Sequence, residues 1–195
     1  MSKVSHDELK KLEASYKAAS ASTRGTFLNV VTDFEFQMEM FICQRFCNDL
    51  SRFQEMQSLI LSPRVTFSNK FQIFEFLIDK YYPANKPTKG QKKIYAHNIK
   101  EIIEYRNILA HYPLSTTDQA LLNYKKDFTL EYIKFKNVSD DTKKSTLTNF
   151  VRIKPAEINQ VINNTYDYID SIRENNAKWL ATLGITQGNK STDGE

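Results

Sequence analysis

The chain has 195 residues, with five glycines, five prolines and 41% hydrophobic residues. That length suits one domain with a substantial core, and the scarcity of turn formers argues for a mainly α protein over a small β-sandwich. A net charge of +4 and a pI near 8.9 are compatible with a polyanionic partner but do not require one. The polar opening Met1-Ser2-Lys3, with no apolar run of spanning length anywhere, predicts a cytoplasmic protein without leader or membrane partner.

Leu9, Leu12 and Tyr16 share one side of a short amphipathic helix over residues 5–20. The run Ser20-Ala-Ser-Thr-Arg-Gly25 is predicted to break it, setting residues 1–23 apart as an N-terminal helical segment from a main domain over 24–183. A long helix is expected from Thr26 to Leu61, ended by Ser62-Pro63, with apolar residues almost all round its first half, as a central buried helix requires. Cys43 and Cys47 lie four apart within it and read as core filler in a reducing compartment. Two such residues with no nearby His cannot complete a tetrahedral zinc shell, so no metal and no cofactor are expected.

Phe67 to Tyr82 forms a further Phe-rich helix, and Pro83 to Gln91 a loop. The next helix runs from Lys92 to His111 and is stopped by Pro113. The period then changes. Phe128–Lys136 and Ser145–Ile153 alternate in hydropathy and carry aromatic and β-branched residues, which predicts a β-hairpin over 128–153 joined by the polar stretch Asn137–Lys144. Pro155 opens a last helix, Gly184 closes it, and residues 184–195 are expected to form a disordered tail. The expected architecture is a bundle of four or five helices with an inserted β-hairpin.

The chemistry concentrates in Glu104-Tyr-Arg-Asn-Ile-Leu-Ala-His-Tyr-Pro113. The apolar stripe through Tyr95, Ile99, Ile102, Ile103, Leu109 and Ala110 also carries Arg106 and Asn107, and His111 follows one turn later. A guanidinium and an amide on a core-facing stripe are costly unless a partner or ligand satisfies them. Asp33, Glu35 and Glu39 of the long helix are candidate partners for Arg106. Arg binds phosphate oxygens through a permanent planar fork, and His takes or gives a proton near neutral pH. With no carboxylate or His/Cys cluster to hold a catalytic metal, phosphodiester cleavage by this pair would use the 2′-hydroxyl of RNA as nucleophile and leave a 2′,3′-cyclic phosphate.

The string Tyr105-Arg-Asn-Ile-Leu-Ala-His111 resembles the signature of the HEPN superfamily, an Arg, a polar residue and a His four to six positions on. The resemblance implies an up-and-down helical bundle, dimerisation across the motif helices, and metal-independent endoribonuclease activity in toxin–antitoxin or phage-defence settings. Carried onto this chain, it makes Arg106, Asn107 and His111 the catalytic set, with RNA as substrate, a homodimer as the working form and an antitoxin or other regulatory protein as a further partner. Tyr112, Lys92 and Lys93 are the candidate substrate-binding residues, Lys92 and Lys93 as part of a basic run with Lys86 and Lys89. One branch of the family has a Tyr two positions after the His. This chain has Pro113 there, so regulation through that Tyr does not carry over. The competing reading is a non-catalytic interaction or RNA-binding module in which Arg106, Asn107 and His111 form a structural network capping the helix.

Overall fold

Helix α1 runs without a break from His6 to Phe46, through the Ser20–Gly25 stretch where the sequence predicts an interruption. The reason is phase. Tyr16, Ser20, Phe27 and Val31 recur at intervals of four and seven and are all buried, so the core-facing stripe crosses the small polar run intact. The interruption falls later. Asp49 caps a new helix, accepting from the Arg52 amide at 2.9 Å. Helix α2 (Leu50–Glu55) then passes into a π-helical turn (Met56–Leu61) and a last short turn, α3 (Ser62–Arg64). The single helix expected over Thr26–Leu61 is therefore several segments.

The structure is a computed structural model that describes residues 5–47, 49–81, 88–136 and 147–182. The expected 137–144 connection, most of the 83–91 loop and the 184–195 tail lie outside the described residues. Helix α4 spans Phe67–Tyr81, α5 Lys89–His111 and α7 Pro155–Thr182, close to the sequence reading. Helix α6 (Asp118–Asp127) was not anticipated. Thr117 caps it by accepting from the Ala120 amide at 3.2 Å, and it ends at Phe128, which takes a left-handed φ of 58° that strains a non-glycine residue. Strands β1 (Leu130–Lys136) and β2 (Leu147–Ile153) pair antiparallel, with Leu130 opposite Ile153 and Glu131 opposite Arg152, as the expected hairpin. The protein is thus mainly α with one inserted hairpin. Among the described residues no helix is long and apolar enough to cross a membrane.

Contacts divide the chain into two compact units, residues 1–31 with 96–164 and residues 32–95 with 165–195. In the first, Tyr16, Phe27, Ile102, Leu109, Tyr132 and Ile158 form the centre of the core. In the second, Phe34 packs on Phe67 and Tyr168 with ring centroids 5.9 Å apart in each case, and Phe41 on Phe74 at 4.9 Å. The same core encloses a charge cluster. Lys70, 1% exposed, donates to Glu35 at 2.5 Å and Glu39 at 2.6 Å, and the other Glu39 oxygen accepts from Gln57 at 3.2 Å. Asn176, also buried, donates to both the carbonyl and the side chain of Gln37 at 3.0 and 2.9 Å.

Candidate functional site

The last two turns of α5 belong to the first unit, and helical phase sorts their side chains. Ile99, Ile102 and Leu109 are buried and define the inner face. Arg106, four residues beyond Ile102, stays near that face and is half-buried. Asn107 is five beyond, a rotation of roughly 140° at 3.6 residues per turn, and it is exposed, as is Ala110. The stripe expected to hold both Arg106 and Asn107 therefore holds only the arginine. His111, nine beyond Ile102, is on the far side and exposed at the last residue of the helix.

The chain leaving the helix is fastened rather than loose. The Tyr112 amide continues the helical pattern by donating to the Ile108 carbonyl at 3.0 Å. Pro113 and Ser115 then bond to the free edge of β1. The Pro113 carbonyl accepts from the Ile133 amide at 2.8 Å, and the Ser115 amide donates to the Glu131 carbonyl at 2.8 Å. Tyr16 of α1 holds the same strand, its hydroxyl accepting from the Glu131 amide at 2.9 Å and donating to the Glu131 carbonyl at 3.3 Å. Burial pushes the Tyr16 phenol above its ordinary value, so it remains a donor through the neutral range.

Two cationic side chains meet this exit. Arg24 of α1 donates from Nη2 to the Tyr112 carbonyl, and its guanidinium carbon lies 4.9 Å from the centre of the buried Tyr132 ring. The Tyr132 hydroxyl is 3.1 Å from Ser20 Oγ. From β1, the Lys134 ammonium lies 5.9 Å from the centre of the half-buried Tyr112 ring. Arg24 and Lys134 therefore meet at Tyr112, and Arg106, Asn107 and His111 precede it in the last two turns of α5, all in one unit. Tyr105, on the same turn, packs edge-on against Phe27 at 6.2 Å. Burial, then the charges of Glu157, Glu101 and Glu104, push its phenol up, which fits a packing role.

The remaining candidates lie in the second unit or earlier on α5. Lys93 is exposed in the first turns of α5, within the second unit, and the Lys92 side chain lies outside the described residues. Glu39, a candidate partner of Arg106, has both carboxylate oxygens engaged by Lys70 and Gln57. Asp33 holds Arg173 at 2.8 Å and Gln37 at 3.3 Å. His97 is exposed, 3.8 Å from Glu101. Arg24 and Ser20 were missed because their stretch read as a break. The available signal was the stripe from Tyr16 to Val31, which places Ser20 and Arg24 at helical intervals on it.

Among the described residues no three His, Cys, Asp or Glu side chains come together in a way that would hold a metal ion. Compared with known proteins, the chain matches no family model, no curated protein and no solved structure.

Proposed function

We propose that this protein is a metal-independent endoribonuclease of the HEPN type, working as a homodimer in the cytoplasm, as a toxin or defence effector held in check by a regulatory protein. In this reading the Arg106 guanidinium binds the nonbridging oxygens of the scissile phosphate. His111 accepts the proton of the 2′-hydroxyl or returns one to the departing 5′-oxygen. The 2′-oxygen closes on phosphorus as the bond to the 5′-oxygen breaks, giving a 2′,3′-cyclic phosphate and a 5′-hydroxyl. Asn107 orients the phosphate, and Tyr112 and Lys134 hold the neighbouring nucleotide by stacking and charge. Lys92 and Lys93, early in the same helix, contribute contacts to the RNA backbone.

The observation that supports the reading is the exposed imidazole of His111 on a helix end braced from two sides, with half-buried Arg106 just before it. Helix α5 keeps its form through His111, so Arg106 and His111 of one chain diverge by roughly 140°. Two copies packed across their motif helices would place two of each in one cleft, and twofold dimers are the commonest soluble assembly. The test is incubation of the purified chain with RNA in EDTA, together with its size in solution. Cleavage to cyclic-phosphate ends by a dimer supports the reading, and a monomer that leaves RNA intact refutes it.

A further inference from the structure

Three sulfur-bearing side chains, Cys43, Cys47 and Met56, lie where α1 gives way to α2, in the second unit. Cys47 stands one residue past the end of α1, yet its amide still donates to the Cys43 carbonyl at 2.9 Å. The two thiols therefore remain one helical turn apart on one face. The Asp49 cap and α2 then bring the chain back, and Met56 Sδ lies 3.6 Å from Cys47 Sγ. Cys43 is fully buried, Cys47 is 5% exposed and Met56 is half-buried.

We propose that Cys43, Cys47 and Met56 form a three-sulfur site for a soft monovalent cation, copper(I) or its analogue silver(I). Thiolate and thioether donors together select such ions, whereas zinc wants four donors of which at most two are at hand among the described residues. The size also fits. Three sulfurs about 2.3 Å from a shared ion at trigonal angles are separated by about 4.0 Å, so the 3.6 Å gap needs to open by only a few tenths of an ångström. Without an ion, the Cys47 thiol is 3.5 Å from the Arg52 carbonyl and donates to it. On coordination each thiol releases its proton to solvent and the thioether binds through a lone pair, with no change of oxidation state. The two cysteines alone read as packing residues. The third donor is nine residues away and arrives only through the turn at Asp49, which is why no sequence spacing announces it.

The test is an anaerobic titration of the full chain with copper(I) against the chelator bicinchoninate. The parent is expected to withdraw one copper per chain and show a near-ultraviolet sulfur-to-copper band. Met56→Leu conserves volume and should fold, but it loses roughly tenfold or more in affinity. Cys47→Ser loses the band. Copper left with the chelator by the parent, or equal affinity in Met56→Leu, overturns the proposal. X-ray absorption of the copper-loaded parent decides independently of any variant, three sulfur neighbours supporting the site and two overturning it.

Discussion

Arg24 donates to the backbone carbonyl of Tyr112, joining the middle of α1 to the residue that follows His111. The guanidinium also stands over the Tyr132 ring, and its Nε is buried without a hydrogen-bond partner. A charged donor is thus committed to a single carbonyl at the helix exit, and the geometry of that exit depends on it.

Replacing Arg24 with Ala should lower stability by about 1.5–3 kcal/mol, the usual range for a hydrogen bond to a charged group. Arg24→Lys should not restore it, because an ammonium cannot both reach the carbonyl and lie flat over the ring. Thermal denaturation gives the first number. RNA cleavage should fall more in Arg24→Ala than the melting shift alone explains, because His111 loses its fixed platform.

Gly25 lies in mid-helix, exposed, and an added Cβ would meet nothing within 4 Å. Gly25→Ala should therefore raise stability by about 0.5–1 kcal/mol, a gain of roughly 1–4 °C in melting temperature for a chain of this length. If the chain instead broke at Ser20–Gly25, the same change would be neutral or harmful. The melting curve distinguishes the two.

These two positions show what the sequence concealed. Ser20 to Gly25 has the composition of a loop, yet its phase with Tyr16, Phe27 and Val31 carries the helix through, and phase outweighs composition in a packed helix. The true break at Asp49 has only a local cap as its signal. Strand alternation gave the hairpin and Pro155 the start of α7, because both signals are short-range. Helix α6 buries little beyond Ala120, Leu121 and Tyr124, too short a pattern to stand out between Pro113 and the hairpin. Arg106 and His111 were legible as a pair at a helix end. Their surroundings were not, since Arg24 and Lys134 approach from segments 82 and 28 residues away from Arg106.

Lys70 looks like a surface residue by type, but it shares the inner stripe of α4 with Phe67, Phe74 and Leu77 and is sealed between Glu35 and Glu39. Lys70→Met would leave Glu39 buried without its cation and should cost about 3–5 kcal/mol. Adding Glu39→Gln should recover part of that loss, which a chemical-denaturation cycle on the four proteins would measure. Equal, additive losses would show that the ion pair is not coupled.

The Cys43 thiol is pushed by burial from an ordinary 9.0 to about 12. Below pH 9 both folded and unfolded chains keep this proton, and the contribution is fully present. Above that the unfolded chain releases the proton while the folded one retains it, so stability falls as pH rises toward about 12. Cys43→Ala should flatten this alkaline loss between about pH 9 and about pH 12. Parallel slopes in parent and variant would assign the loss to other groups, such as the raised phenols of Tyr16 and Tyr105.

The most direct test of the account compares the parent with His111→Ala on RNA in EDTA, with the melting temperature of each recorded alongside. His111 is exposed, so its truncation should change stability by no more than about 0.5 kcal/mol. The account predicts that the parent cuts RNA to 2′,3′-cyclic phosphate ends and that His111→Ala, folded and equally stable, does not. Equal cleavage by both proteins, or intact RNA with the parent, would contradict it.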